Sequence, residues 1–288
     1  MHCRRWFRLA SIVAVAAAVL VLFVACGDGE EKEAEDTPTG SATSAAKVAE
    51  LQDGVLQVGS DISYAPIEFF EEGTQNAAGL DVDLANALAE ELGVRAEFIN
   101  TGFDGIIGAL NVSRFDVLIS AMTVTEERQK EIDFIPYFAA GTDILVAEGN
   151  PKNIKTIEDL SGLTVGVQIG TIQVDQLKAA NDTLKAAGKP EISVLTFDQN
   201  PLAVEQLRTG RADAVIADSP VVANEARLSD GKLEALGLAV EAAPYGIGVR
   251  KESTQLKAAI EGALQKLIAN GKYKAILIEW GLEGGAID

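Results

Sequence analysis

Two stretches of this chain, far apart in the sequence, follow one pattern of residues. Residues 110–121 read LNVSRFDVLISA and residues 207–218 read LRTGRADAVIAD, with Leu, Arg and Asp at matching steps before an apolar run. A helical segment that ends in a polar or glycine turn and continues into a short apolar strand is typical of a buried parallel sheet. The repeat therefore predicts an α/β fold, with one unit in each of two similar lobes. One larger sheet that contains both units remains the alternative.

The ends of the two repeated strands are the first candidates for a binding site. In open parallel sheets, ligands bind beyond the carboxyl ends of the strands. Ser120, Ala121, Ala217 and Asp218 would lie at these ends. We therefore expect a cleft between the two lobes.

Strand and helix patterns alternate along the rest of the chain. A strand at 55–59 is followed by a helix that Asp81 caps and Gly93 ends. This order calls for a mainly parallel sheet with right-handed crossovers. Two helices, at 253–270 and 272–280, follow the last strand. The 288 residues, of which 48% are hydrophobic, can form one large core or two smaller ones, and we favour two.

The N-terminus, residues 1–25, has the composition of an export signal. Three arginines precede an apolar run that ends at Ala25, and the segment contains no acidic residue. The sequence FVAC at 23–26 resembles a bacterial lipobox, except that Phe23 stands where leucine is commonest. We predict cleavage before Cys26 and lipid attachment to it, with an uncleaved anchor or ordinary secretion as alternatives. All three place the body of the chain outside the cytoplasm.

Residues 26–50 are rich in Glu, Asp, Thr, Ser, Ala and Gly and contain almost no large apolar side chain. Such a segment cannot offset the entropy of ordering the chain, so we predict a flexible tether. Removal of the signal with its three arginines leaves 21 basic residues against 43 acidic ones, a net charge of −22. A chain of this charge is not expected to bind nucleic acid or an anionic membrane surface.

The counts of cysteine and histidine exclude several kinds of site. Without the signal, the chain contains Cys26 as its one cysteine and no histidine, since Cys3 and His2 belong to the signal. An internal disulfide, a cysteine or histidine metal site, and a nucleophilic site that needs a histidine base are therefore excluded. We expect no metal, no cofactor and no catalytic residue.

Six motifs, in order along the chain, resemble those of one family. They are VGSDISYAPIEF at 58–69, GLDVDLANALAEELG at 79–93, FDGIIGAL at 103–110, FDVLISAMTVTEER at 115–128, GTIQ at 170–173 and YGIGVRK at 245–251. Together they resemble the polar amino-acid-binding proteins of bacterial ABC importers, the extracellular solute-binding protein family 3. The resemblance extends from about Val55 to the C-terminus.

The resemblance implies a two-lobed, periplasmic-binding-protein-like fold of type II. In this α/β fold, each lobe is a mainly parallel sheet flanked by helices, and two crossing strands join the lobes, which close on one free amino acid. The first lobe would comprise residues 51–141 and 249–288, and the second lobe residues 142–248. One repeat unit would then lie in each lobe.

The resemblance also implies partners for the two charged ends of an amino acid. Arg128 matches the arginine that binds the α-carboxylate, for which a planar guanidinium offers two parallel donors. Thr171, at the start of a helix, matches a second contact to that carboxylate. Asp218 matches the aspartate that binds the α-ammonium group. The alternatives are that Arg128 pairs with Glu127 or Glu131 on a surface helix, and that Asp218 caps the next helix.

Further positions match the rest of the ligand site. Tyr64 and Phe103 match two aromatic residues that enclose the ligand's side chain, although such aromatics are more often part of a core. Asp61 matches an acceptor for the far end of a basic or amide side chain, and Gln168 stands where some glutamine-binding members have a lysine. The remaining matching positions are Ser120, Ala121, Thr123, Ile172 and Gln173. An acid with two aromatics and no pocket cation favours arginine, lysine or histidine, followed by glutamine or another neutral polar amino acid.

The resemblance therefore predicts a monomeric, extracytoplasmic binding protein rather than an enzyme. It would close on a free amino acid and dock on an ABC permease, near which the lipid on Cys26 would keep it. Two alternatives remain open. One is a cyclohexadienyl (arogenate or prephenate) dehydratase on the same fold, which would need a carboxylate or lysine as its acid or base. The other is a sensory ligand domain, although sensory proteins usually continue into a membrane span and a signalling module.

Overall fold

The computed structural model describes residues 48–287. Strands and helices alternate along this range as the sequence patterns predict. The strands are β1 (Val55–Ser60), β2 (Ser63–Tyr64), β3 (Glu68–Phe70), β4 (Ala77–Ala78), β5 (Arg95–Asn100), β6 (Val117–Leu118), β7 (Asp133–Ala147), β8 (Thr164–Gln168), β9 (Ser193–Phe197), β10 (Ala214–Asp218), β11 (Leu233–Ala235) and β12 (Val240–Val249). The α-helices are α1 (Leu80–Leu92), α2 (Ile106–Asn111), α3 (Glu126–Glu131), α4 (Ile172–Ala186), α5 (Asn200–Arg208), α6 (Ser219–Leu228), α7 (Thr254–Ala269) and α8 (Lys272–Trp280).

Nine of the described strands form one sheet in the order β5-β1-β6-β12-β7-β10-β8-β9, with β11 beside β7. At one end β1 runs parallel to β5 and β6, and at the other β8 runs parallel to β9 and β10. Between these parallel groups, β12 and β7 run antiparallel to each other and to their outer neighbours. Two parallel halves joined by two long strands confirm the predicted α/β fold of type II.

The two long strands exchange partners at one point. The first half of β7 pairs with β12, and from Thr142 onward it pairs with β10 and β11. Gly141 lies at the exchange, where an added Cβ would come within 2.5 Å of the Ala239 carbonyl oxygen. The matching point on β12 is the register shift between Val240 and Ala243, which precedes the predicted lobe boundary at 248/249.

Both repeat units form a helix, a tight turn and a strand, as predicted. The first unit runs from α2 into β6 and the second from α5 into β10. Their turns place Ser113 (φ 57°) and Gly210 (φ 70°) at the same step in the left-handed region. At another shared step, Asp116 and Asp213 each accept a 2.9 Å hydrogen bond from the first part of the neighbouring parallel strand. The repeated sequence therefore codes for a repeated local structure.

The start of α1 differs from the prediction that Asp81 caps it. The N-cap position is Gly79 (φ 129°), and Asp81 lies within the first turn with its side chain buried. There its two oxygens accept hydrogen bonds from the Tyr137 hydroxyl (2.6 Å) and the Ala121 N–H (2.8 Å). Gly93 ends the helix in the left-handed conformation (φ 73°), as predicted.

The described chain already packs against the core at Val48, three residues before the predicted lobe boundary. Val48 is 1% exposed and packs with Leu51 in the apolar core. Glu50 lies 3.7 Å from the buried Arg250 guanidinium. The predicted signal at 1–25, Cys26 and the tether as far as residue 47 lie outside the described residues. No helix within 48–287 has the length and apolar content that a membrane crossing requires.

The core is less divided than the two separate cores that we favour from the sequence. One apolar cluster belongs to the second half, around Val165 and Leu177, and another to the first, around Leu110 and Phe115. The largest cluster contains residues of both halves. The halves share it because β7 and β12 continue through both.

Candidate ligand-binding site

The carboxyl ends of the strands from both halves meet beside the two crossing strands. β10 ends at Asp218 opposite Thr142 of β7, and the chain after β6 reaches Thr123, which bridges to Tyr245 of β12. The small sheet of β2, β3 and β4 brings Tyr64 to the same place. The site therefore lies where parallel sheets bind ligands.

A cavity at this meeting point contains the predicted site. Its volume is about 10 Å³, which is room for a single water molecule. Eleven of the twelve predicted residues line it, namely Asp61, Tyr64, Phe103, Ala121, Thr123, Arg128, Gln168, Thr171, Ile172, Gln173 and Asp218. Glu68, which the sequence analysis did not select, lines it as well. Ser120 does not belong to the wall.

Arg128 projects into the cavity from the first turn of α3. Its two terminal nitrogens donate to the Thr123 carbonyl (2.7 Å) and to the Gly170 carbonyl of the other half (2.9 Å). Thr125 caps the helix by accepting the Arg128 N–H, as a residue of its type does at an N-cap. Burial lowers the pKa of Arg128, and the charge of Asp218 partly opposes this. The surface alternative does not describe Arg128, because its guanidinium bonds to these two carbonyls, while Glu127 pairs with Lys130.

Asp218 faces Arg128 from the end of β10. It occupies the N-cap position of α6, but its side chain makes no capping hydrogen bond, so the capping alternative does not describe it. Its oxygens accept instead from the Gln173 amide (2.7 Å) and the Tyr64 hydroxyl (3.2 Å). Burial raises the pKa of Asp218, while these hydrogen bonds and the Arg128 charge lower it in part.

The start of α4, in the second half of the fold, contributes residues that lie near Arg128 and Asp218. Thr171 occupies the N-cap position, yet its hydroxyl donates to the Gln168 carbonyl (2.8 Å) and leaves the helix N–H groups free of a side-chain cap. Gln173 is 1% exposed and reaches both Asp218 and the Thr142 hydroxyl (3.1 Å). Ile172 presents an apolar side chain to the cavity.

Asp61 marks the other end of the cavity. It is 2% exposed and accepts hydrogen bonds from the Ser63 hydroxyl (2.9 Å), the Gln168 amide (2.7 Å) and the Phe103 N–H (3.3 Å). Burial raises its pKa, and these hydrogen bonds lower it in part. The Phe103 ring lies 5.5 Å from the Arg128 guanidinium carbon, so it already provides a face for a cation.

Ser120 lies behind the cavity wall rather than in it. Its hydroxyl accepts from the Asp61 N–H (2.9 Å) and donates to Glu68 (2.9 Å). Ser120 therefore connects the two acidic residues of the site and does not itself line the cavity. Sequence reasoning placed it correctly at the end of a strand, but the direction of its side chain depends on the tertiary structure.

Glu68 is the cavity-lining residue that sequence reasoning missed. It belongs to β3 and is 1% exposed, although a glutamate is almost never fully buried without a partner. The available signal was its position in the apolar motif APIEFF at 65–70, where a charged side chain is out of place. With Asp61, it places two carboxyl groups in one cavity.

Contacts between the halves close the cavity. Asp61 bonds to Gln168, Tyr64 to Asp218, and Arg128 to Gly170. An added Cβ on Gly170 would lie 2.9 Å from the Asp104 Cα of the opposite half. A ligand larger than a water molecule therefore enters only if these contacts open. Among the residues the structure describes, no group of three or more His, Cys, Asp or Glu is placed to hold a metal ion.

A two-lobed fold with a polar cleft at its strand ends defines a ligand-binding protein of the periplasmic type. The chain belongs to the bacterial extracellular solute-binding proteins, family 3, whose model matches residues 56–283. It is 34% identical over 262 residues to the arginine-binding protein ArgT of Corynebacterium glutamicum, covering 91% of this chain and 85% of that protein.

Two solved structures are similar as well. An ancestral arginine-binding protein bound to arginine has a TM-score of 0.73 and 40% identity, covering 79% of this chain and 98% of that one. The ancestral amino acid-binding protein AncCDT-1, a precursor of cyclohexadienyl dehydratase, has a TM-score of 0.72 and 36% identity, covering 80% and 96%. The fold and the family predicted from the sequence are thereby confirmed.

Proposed function

We propose that this protein binds a free amino acid with a basic side chain and delivers it to an ABC permease. The observation that carries the proposal is the distribution of charge in one cavity. Arg128 and Asp218 supply the opposite charges that an α-carboxylate and an α-ammonium group need, and Asp61 and Glu68 supply carboxyl groups for the side chain. Burying an ionic group without such partners is strongly unfavourable.

The division of these residues between the halves supports closure as the binding mechanism. Arg128, Asp61 and Glu68 belong to the first half of the fold, whereas Asp218, Gln168 and Gln173 belong to the second. A ligand that contacts both sets stabilises the closed arrangement by its differential contacts. In the proposed cycle the permease recognises this closed form, and the protein acts as a monomer. Cys26 carries a lipid that holds the mature protein at the outer face of the membrane.

Arginine, lysine and histidine are the proposed ligands, with glutamine next. ArgT is an arginine-binding protein, and the ancestral binding protein was solved with arginine bound. A basic ligand of this kind agrees with the two carboxyl groups in the cavity. A cationic side chain would also interact favourably with the faces of Tyr64 and Phe103. Gln168 would donate to a neutral acceptor, which is why an amide side chain is the second choice.

A direct test is calorimetry of the protein without residues 1–25 against the twenty common amino acids. The protein is first unfolded and refolded so that any carried ligand is removed. We expect arginine, lysine or histidine to bind most tightly. If glutamine bound most tightly, the ligand class would be neutral polar amino acids instead. If none of the twenty amino acids gave a heat of binding, the proposal would be contradicted.

A dehydratase is the second candidate, because AncCDT-1 is similar in structure and because Glu68 is a buried acid in the cavity. Absorbance can follow the release of product from arogenate or prephenate. Turnover that disappears in Glu68→Gln would establish this activity. We expect none.

A further inference from the structure

Glu68 lies beside a second buried carboxyl group, that of Asp81. Both residues are 1% exposed, and the charge of Asp81 opposes ionisation of Glu68. Two ionised carboxylates that are buried close together without a cation repel each other. The pair therefore favours the state in which one of the two carboxyl groups is protonated.

The remaining contacts indicate which residue holds the proton. Asp81 accepts from Tyr137 and from the Ala121 N–H, so both of its oxygens already face donors. Glu68 accepts one hydrogen bond, from Ser120, and its Oε2 has no donor among the described residues. Burial and the charge of Asp81 raise the pKa of Glu68 well above its usual range. The proton therefore belongs to Glu68.

The titratable groups around Glu68 all favour this state. Asp81 on α1 and Asp61 after β1 are acidic, and their charges oppose ionisation of Glu68. The Tyr64 hydroxyl of β2 and the Tyr137 hydroxyl of β7 also interact with it, and burial raises the pKa of both. Among these neighbours none carries a positive charge. The head of a basic ligand would bring Glu68 a positive charge that none of these neighbours provides.

On the basis of the proposed function, we propose that Glu68 determines specificity by exchanging its proton for the cationic head of the ligand. A basic amino acid would bind with release of the Glu68 proton to the solvent, leaving an ion pair in the cavity. A neutral ligand would bind with the proton retained, because a carboxylic acid can donate to a carbonyl oxygen. One residue would thus serve both classes of ligand, with pH setting their order.

The pH dependence follows from linkage. Below the pKa of Glu68 in the free protein, each basic ligand displaces up to one proton, so its affinity rises by up to about tenfold per pH unit. The rise ends where Glu68 is already ionised before binding. A neutral ligand gains nothing from higher pH and loses its donor once Glu68 ionises. The affinity ratio of the two ligands therefore increases with pH.

Arginine and citrulline are suitable probes, since they have the same shape and the same α-groups but differ in the charge of the head. Titrations of the mature protein between pH 5.5 and 8, in buffers with different heats of ionisation, measure affinity and proton release together. We expect proton release with arginine, little with citrulline, and an arginine-to-citrulline affinity ratio that rises with pH. Any other protonation change that affects the binding of both ligands equally cancels in this ratio.

Two variants, Glu68→Gln and Asp81→Asn, assign the proton, and a third, Glu72→Gln, is the control. Glu68→Gln should abolish the pH slope of the ratio, whereas Glu72→Gln, an exposed glutamate just after the same strand, should leave it unchanged. Asp81→Asn removes the neighbouring charge and should move the transition to lower pH, which loss of packing alone would not do. Arginine binding with buffer-independent heat at every pH, or the same proton release in Glu68→Gln, would overturn the proposal while the proposed function stands. If none of the twenty amino acids binds, both fail.

Discussion

The two repeat units share their backbone but end in different chemistry. Ala121 and Asp218 stand at the same last step of the repeat, and both line the cavity. Asp218 presents a carboxylate to the cavity directly, whereas Ala121 presents main chain in a left-handed conformation (φ 44°) whose N–H bonds to the buried Asp81. In the first half, the acids lie on neighbouring elements instead of on the repeat.

This difference shows how two similar halves form one site with distinct ends. Each repeat ends at the cavity, so the repeated scaffold accounts for where the candidate site lies. The residue at that place, and what surrounds it, would decide which group of the proposed ligand binds there. Fold and chemistry are therefore separable in this protein.

The largest effect is expected from removing the guanidinium that faces the second half. Arg128→Ala should weaken every amino acid by at least about 100-fold, because two charge-assisted bonds of about 1.5–3 kcal/mol each are lost. Lys130→Ala is the control on the same helix, since Lys130 is exposed and pairs with the exposed Glu127. Calorimetry measures both. A loss confined to basic ligands would assign Arg128 to the side-chain end.

The carboxylate of the second repeat should rank next. Asp218→Asn keeps the shape but removes the charge opposite the α-ammonium group, and we expect about 10- to 100-fold weaker binding for all amino acids. Asp213→Asn, five residues earlier in the same repeat and outside the cavity, serves as the control. Unchanged affinity in Asp218→Asn would mean that the second half does not bind the ammonium group.

A smaller and selective effect is expected at the far end of the cavity. Asp61→Asn should weaken arginine and lysine by about tenfold and leave glutamine within a few-fold, since an amide loses one charge interaction but remains a hydrogen-bonding partner. The measurement is the ratio of dissociation constants for arginine and glutamine. Equal losses in Asp61→Asn and Arg128→Ala would contradict separate roles for the two ends.

The smallest expected effect is on the pH dependence of stability, and it contrasts Asp116 and Asp213, the aspartates at the same step of the two repeats. Mainly burial raises the pKa of Asp116, whereas the hydrogen bond from Thr164 lowers the pKa of Asp213. The stability from Asp213 is therefore present above the unfolded pKa of 3.8 and is lost as pH falls through the folded value. For Asp116 the sign is opposite, so its contribution is present below 3.8 and is lost as pH rises through the folded pKa.

Urea unfolding at pH 3 and pH 7 tests this contrast with Asp116→Asn and Asp213→Asn. From pH 3 to pH 7, the wild type should gain stability relative to the Asp213 variant and lose stability relative to the Asp116 variant, each by about 1 kcal/mol or less. If the stability difference between wild type and variant changed with pH in the same direction at both positions, the proposed contrast between Asp116 and Asp213 would be contradicted.

Most of the fold could be predicted from local patterns. The repeat, the alternation of elements and the Gly93 stop all correspond to structure, because periodicity and turn chemistry act over a few residues. The Asp81 cap was wrong, since a buried hydroxyl and a main-chain N–H from distant segments bind that carboxylate better than its own helix does. The position of Val48 in the core also depends on distant packing.

The sequence by itself determined the fold class, the position of the cleft at the strand ends, and eleven of the residues that line it. Only the tertiary structure decided that Ser120 lies behind the wall, that Glu68 lies in it, and that Asp81 is buried with both oxygens bonded to distant segments. The physical reason is the distance along the sequence over which the interactions act. Strand and helix formation follow neighbouring residues, whereas burial of a carboxyl group and the protonation that results depend on segments that the chain brings together only when it folds.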